Sequence, residues 1–180
     1  MNDGQNIAKP ENIIPLFSEK EIKEKVKELS NAINDAYADC EELTILIVMK
    51  GAFLFASDLV RAIKIPIILD FIELSSYGNA RTSSGKVVLK NDHKRSFADR
   101  DILIIEDIVD TGKTLQWLLD YLKQHKAKSV KIATLLIKNK NQQEIIPEYI
   151  GFSIENQFAV GYGLDINEKY RNLSYIGYLP

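Results

Sequence analysis

Residues Ile102 to Thr114 read ILIIEDIVDTGKT. The run Ile102–Ile105 is uniformly apolar, the pattern of a strand covered on both faces in a parallel sheet. Glu106 and Asp107 follow at its carboxyl end, and Asp110-Thr111-Gly112-Lys113-Thr114 turns directly into the next helical pattern. In an open parallel sheet, ligands bind beyond the carboxyl ends of the strands. Backbone N–H groups at a helix start, flanked by the Thr111 and Thr114 hydroxyls and by a glycine with no obstructing side chain, form an anion cradle.

The acidic pair narrows the anion. Carboxylates beside such a cradle repel a bare polyphosphate, but they accept hydrogen bonds from a sugar diol or hold Mg²⁺ directly or through water. A ribose 5-phosphate, with its phosphate at one end and vicinal hydroxyls in the middle, satisfies both features. Gly112-Lys113-Thr114 also matches the end of the nucleotide-binding pattern G-x-x-x-x-G-K-[ST]. The first glycine of that pattern falls at position 107, which is Asp, so the backbone cannot wrap a polyphosphate there. A strand end with solvated acids and a plain turn is the remaining competitor.

Working outward, Ser18-Glu19-Lys20-Glu21 forms a capping box. Ile22, Val26, Leu29, Ile33 and Tyr37 then carry an amphipathic helix, preceded by an irregular lead-in over residues 1–17. Thr44–Met49 is a second buried strand, followed after Lys50-Gly51 by a helix over about Phe53–Ile63. Ile65–Leu74 reads as a further strand. Residues 75–100 are polar and glycine-containing, the composition of a long mobile loop with flanking strand pieces. Leu115, Leu118, Leu119 and Leu122 stripe a helix packed on the sheet, and Val130–Ile137 is another strand. IGFSI and FAVGYG close the domain with short β elements. The alternation predicts an α/β fold, a mainly parallel sheet flanked by helices, in one domain over residues 1–180.

Composition excludes several classes. The 180 residues suit one domain, and 46% hydrophobic with 27% charged residues is ordinary for a globular protein. A net charge of −2 provides no basic field for nucleic acid or an anionic membrane. Cys40 is the one cysteine, so no internal disulfide forms, and with two histidines it provides too few ligands for structural zinc. The N-terminus lacks a signal pattern and no apolar run reaches membrane-spanning length, which makes the cytoplasm the expected location. His93 and His125 have no partner pattern. Trp117 and Tyr121, four apart, share one helical face suited to partial burial or a subunit contact.

EDIVDTGKT resembles the phosphoribosyl-pyrophosphate motif of the phosphoribosyltransferases, in their hypoxanthine–guanine branch. Met49–Phe53 is similar to that family's first active-site loop. Glu73–Gly78 and Ser83–Gly85 resemble its mobile loop, Leu135–Lys138 its purine-lysine strand, and Phe158–Asp165 with Arg171 its C-terminal purine hood. The matches run in order over about residues 45–175. The segment after Lys138, NKNQQEII, lacks the family's frequent Pro and Arg, and Ile166 stands where an aromatic is frequent.

The resemblance implies a type I phosphoribosyltransferase fold, with a small purine-binding hood built from the lead-in and about residues 138–180. It implies transfer of the 5-phosphoribosyl group from phosphoribosyl pyrophosphate to a 6-oxopurine, hypoxanthine or guanine, giving IMP or GMP and pyrophosphate in purine salvage. Glu106 and Asp107 would hold the ribose diol, and Thr111, Gly112, Lys113 and Thr114 the 5-phosphate. Asp110 would be the catalytic acid or base at purine N7. Lys50, Gly51 and Arg171 would grip pyrophosphate, the Lys50-Gly51 loop through a non-proline cis peptide. Lys138, Phe158, Ala159 and Asp165 would bind the purine, Ser76 and Tyr77 would seal the lid, and Glu106, Asp107 and Asp165 would hold Mg²⁺. Singly, Lys138 also fits a surface lysine and Phe158 a core aromatic. Expected partners are the two substrates and a second copy, as homodimer or homotetramer, with no nucleic acid and no membrane. The alternative is a regulator on the same fold that senses ribose phosphates and binds RNA or DNA; the low net charge and Lys138 argue against it.

Overall fold

The computed structural model describes residues 12–77, 86–89, 96–139 and 145–180, without the side chains of 75–77 and 86–89. The elements are β1 (Ile14–Phe17), α1 (Glu19–Ala36), β2 (Leu43–Met49), α2 (Phe53–Ala62), β3 (Ile67–Tyr77) and β4 (Lys86–Leu89). They continue as β5 (Asp101–Val109), α3 (Lys113–Gln124), β6 (Ser129–Lys138), β7 (Tyr149–Ile154), β8 (Phe158–Val160) and β9 (Ile176–Leu179).

The main sheet has the order β4-β3-β2-β5-β6-β7. Its five inner-to-outer strands β3, β2, β5, β6 and β7 are mutually parallel, and β4 pairs antiparallel on β3. The expected α/β architecture is present. Alternation within the apolar strands divides the core into two layers. Ile45, Ile47, Leu103 and Ile105 pack with Ile22 and Ile33 of α1 and with Phe55 and Leu59 of α2. Leu46, Val48, Ile102 and Ile104 pack on the other face with Leu115, Leu118 and Leu122 of α3. Both faces of β2 and β5 are covered, which is why neither strand alternates in sequence.

The capping box at the start of α1 forms as read. The Ser18 amide donates to Glu21 Oε2 at 2.8 Å, and the Glu21 amide donates to Ser18 Oγ at 3.3 Å. Gly112, at φ +80°, is the N-cap of α3, a left-handed position that glycine adopts without penalty.

Besides β3, which runs Ile67–Tyr77 rather than Ile65–Leu74, three larger differences from the sequence reading stand out. The lead-in is irregular only in part, because Ile14–Phe17 forms β1, paired antiparallel with β9. Ile-Pro-Leu-Phe has no alternation to reveal it, and Pro15 is tolerated because β1 is an edge strand. β5 does not stop at Ile105 but runs to Val109, carrying Glu106 and Asp107 within it. Its ladder with β6 continues through Glu106↔Thr134 to Val109↔Ile137, so pairing overrides the poor strand propensity of the carboxylates. Finally, IGFSI belongs to β7, the outer parallel strand, whereas FAV forms β8 in a second sheet of order β1-β9-β8.

That small sheet sits against the α1–α2 layer, sharing its core through Ala159, Tyr162, Leu164 and Ile176. Phe17 of β1 stacks on Phe152 of β7 at 4.0 Å between ring centroids. The Tyr162 hydroxyl donates to Asp58 Oδ2 on α2 at 2.7 Å; burial and this bond raise the phenol above its usual range. Tyr162→Phe should lower the unfolding free energy by about 1.5 kcal/mol, the lower end for a bond to a charged acceptor, measured by denaturant titration.

Candidate functional site

The ladder between β2 and β5 ends at Ile47↔Ile105, while β2 stays paired with β3 to Met49↔Glu73. The sheet therefore opens between its two central strands at their carboxyl ends. The chain order also reverses here: from β2 it passes to β3 on one side, then returns to β5 on the other. That is the topological switch point at which α/β sheets bind ligands.

Beyond the end of the ladder, the β5 carboxylates take up backbone amides. The Asp107 amide donates to Glu106 Oε1 at 3.1 Å, and the Ile108 amide donates to Asp107 Oδ1 at 2.9 Å. Gly51, just after β2, lies directly against Asp107, and a methyl group there would overlap the carboxylate. The Met49–Lys50 peptide bond is cis, one bond before Lys50-Gly51. Gly163, at φ +102°, meets the Gly51 carbonyl so closely that no side chain fits.

Two cavities flank the opening. One, of about 200 Å³, lies between Val48 and Leu74 and the turn from Asp110 to Thr114, with Glu106 in its wall. The second, of about 290 Å³, is lined by Asp107, Lys138, Phe158, Ala159, Leu164 and Asp165. Ile108 and Asp110 line both. Lys138, the last residue of β6, places Nζ 3.3 Å from Asp110 Oδ2. Phe158 leaves 54% of its surface open at the head of β8, so it is a wall of this cavity rather than a core aromatic.

Lys50 and Arg171 are joined through Glu168 at the edge of the second cavity, where Asp165 also pairs with Arg171. Arg171 donates to the Gly163 carbonyl at 2.8 Å and pairs with Asp165 at 2.7 Å and Glu168 at 3.1 Å. Lys50 pairs with the same Glu168 at 3.4 Å. Ser76 and Tyr77 end β3, in register with Val87 and Lys86 of β4. The rest of the expected lid, at 78–85 and 90–95, lies outside the described residues, as do His93 and residues 140–144 after Lys138. His125 Nδ1 donates to the Tyr121 carbonyl at 2.8 Å and, with Tyr121 and Trp117, forms an aromatic row along α3.

The sequence reading missed Ile108, Val48 and Leu74 as cavity walls, since a lining apolar residue looks like any core residue. Leu164 lay unremarked inside a quoted motif. Glu168 carried no signal: its two cationic partners come from segments far apart in sequence.

Burial pushes the Glu106 carboxyl well above the usual carboxylate range, and the adjacent Asp107 charge adds to the shift. Two neighbouring carboxyls that resist joint ionisation are a donor set that a divalent cation relieves. Among the described residues no group of three metal-ligating side chains converges. Mg²⁺ keeps waters and substrate oxygens and takes one or two carboxylates from a protein, a part that Glu106 and Asp107 would fit.

The family model for the phosphoribosyl transferase domain matches residues 16–167. The hypoxanthine-guanine phosphoribosyltransferase of Bacillus subtilis is 47% identical over 165 residues, covering 91% of each chain. The bifunctional protein TilS/HprT of Listeria monocytogenes is 46% identical over 91% of this chain, which spans 25% of that longer protein's length. A crystal structure of a hypoxanthine phosphoribosyltransferase from Staphylococcus aureus superposes with a TM-score of 0.90 at 36% identity, covering 98% of this chain and 96% of that one.

A carboxyl whose pKa is higher in the folded state contributes stability that is complete below its unfolded value, near 4.5, and is lost as pH rises through the folded value. Glu106→Gln stays neutral, so its stability relative to the unaltered chain should rise with pH above that point. Thermal unfolding in metal-free buffer from acidic to slightly basic pH checks this; a pH-independent difference would refute it.

Proposed function

The chain belongs to the hypoxanthine–guanine branch of the phosphoribosyltransferases, and from that premise we propose that it transfers the 5-phosphoribosyl group of phosphoribosyl pyrophosphate to a 6-oxopurine, hypoxanthine or guanine. IMP or GMP and pyrophosphate are the products, as purine salvage requires. The observation that carries this reading is the pair of cavities joined at Asp110, one beside an anion-cradling turn and one beside a lysine and an open aromatic face.

The ribose 5-phosphate occupies the first cavity, its phosphate on the amides and hydroxyls of Thr111–Thr114 at the start of α3 and its diol toward Glu106 and Asp107. The purine occupies the second, with one face on Phe158 and its rim against Ala159 and Asp165. Purine O6 and N7 are neighbours on one edge of the ring. Lys138 Nζ and the Asp110 carboxylate, side by side at 3.3 Å, match that edge as donor and acceptor. Lys138 donates to O6 and disfavours a 6-amino group, which offers no acceptor.

In the transfer, purine N9 forms a bond to the anomeric carbon as the bond from that carbon to pyrophosphate breaks. The proton leaves N7 for Asp110. Carboxylates near the ribose stabilise the positive charge that develops on its ring. Lys50, the Gly51 amide and Arg171 receive the departing pyrophosphate. Glu106 with Asp107 would hold Mg²⁺, and Asp165 a second ion, and bound there the metal would neutralise charge on that leaving group. Ser76 and Tyr77 begin the segment that closes over the site and excludes water.

We also place the enzyme in the cytoplasm, in keeping with the free thiol of Cys40; among the described residues no helix is long and apolar enough to cross a membrane. Self-association, as homodimer or homotetramer, is favoured by Leu69 and Phe71, exposed at 42% and 49% on one face of β3. The alternative of a nucleic-acid-binding regulator draws no support from the relatives.

Protein, Mg²⁺ and phosphoribosyl pyrophosphate are mixed with each purine base in turn. Monophosphate should form from hypoxanthine or guanine and not from adenine; none from any 6-oxopurine overturns the assignment. Asp110→Asn should lower kcat by roughly 10²–10⁴, the usual worth of a positioned acid or base, and leave phosphoribosyl pyrophosphate affinity within a few fold. An unchanged kcat would remove Asp110 from proton transfer.

A further inference from the structure

Glu168 has no part in the site as drawn so far, yet it touches both cations given to pyrophosphate. Its Oε1 lies 3.4 Å from Lys50 Nζ and its Oε2 3.1 Å from Arg171 Nη2. Those cations come from segments far apart in sequence, one from the loop after β2 and one from the turn before β9. A single carboxylate thus spans them, one oxygen to each, as two oxygens of a phosphate group would.

The backbone is arranged to put it there. Asn167, Glu168 and Tyr170 have φ of +54°, +61° and +69°. Asparagine tolerates this left-handed region, but glutamate and tyrosine do so at a cost. The Glu168 amide donates to Asp165 Oδ2 at 2.8 Å, so the acid next to the purine cavity fixes the turn that presents Glu168. Arg171 does not need Glu168 as an anchor, since the Gly163 carbonyl and Asp165 already hold it. The side chains of Glu168 and Lys50 are 67% and 53% exposed, and an ion pair so open to water is weak and easily exchanged.

We propose that Glu168 is a built-in competitor of pyrophosphate: its carboxylate holds Lys50 and Arg171 in the empty enzyme, gives them up when phosphoribosyl pyrophosphate binds, and retakes them as pyrophosphate leaves. This rests on the part of the reading above that assigns Lys50 and Arg171 to pyrophosphate. Glu168 is a positioning residue; it touches no reacting atom. Its charge keeps the two cations paired between turnovers and limits how tightly the polyanion is retained.

The test compares the unaltered enzyme with Glu168→Gln, which keeps the shape and removes the charge. Calorimetric titration with inorganic pyrophosphate and Mg²⁺ should show the variant binding more tightly, on the order of two- to fivefold, the range an exposed ion pair commands. KM for phosphoribosyl pyrophosphate should fall in parallel, with KM for hypoxanthine unchanged. Damage to the fold would weaken binding, so tightening is a result that a merely structural role does not produce. Equal or weaker pyrophosphate binding by the variant overturns the proposal, and so does the absence of binding to either protein. Tightened pyrophosphate binding in a protein that turns over no 6-oxopurine would uphold it while removing the transferase reading.

Discussion

Gly51 and Asp107 leave each other no room, and most of the site follows from that contact. Because β2 and β5 part after Ile47↔Ile105, the loop leaving β2 can fold over the β5 carboxylates, but only if its second residue has no side chain. Gly163 then seats on the Gly51 carbonyl from the other side. Three segments distant in sequence are layered at one point, and each carries residues of the proposed chemistry: Lys50 beside Gly51, Glu106 beside Asp107, Asp165 beyond Gly163. Displacing any layer would move all three sets of groups together.

The hood is tied to this layering by polar as well as apolar contacts at its tip. Tyr162 reaches Asp58 on α2, and Arg171 closes the turn through Gly163, Asp165 and Glu168. Apolar burial through Ala159, Leu164 and Ile176 holds the hood's base on the core. This division separates an apolar foundation from a charged rim.

The parts of this arrangement that were legible in the sequence are those with local signatures. The capping box at Ser18 and Glu21, the leucine stripe of α3 and the apolar runs of β2 and β5 each declare themselves within one helical turn or one strand. The turn from Asp110 to Thr114, with Gly112 as the cap of α3, declared itself in the same way. The features that escaped are set by partners far along the chain. β1 exists because β9 pairs with it, and Glu106 stays in a strand because β6 continues beside it. The meeting of Lys50 with Glu168, 118 residues apart, has no local trace. Motif resemblance located Lys138 and Asp110 separately, whereas their contact depends on the parallel register of β5 and β6.

Helix α3 joins two properties that do not usually coincide. Its first turn carries the proposed phosphate cradle, and one turn later it carries Trp117, the single tryptophan of the chain, stacked on Tyr121 at 5.4 Å between centroids. All of the protein's indole emission therefore originates on the helix whose amino end would meet the anion. The molecule contains its own optical reporter, and occupancy of the cradle can be followed in the native chain without a label.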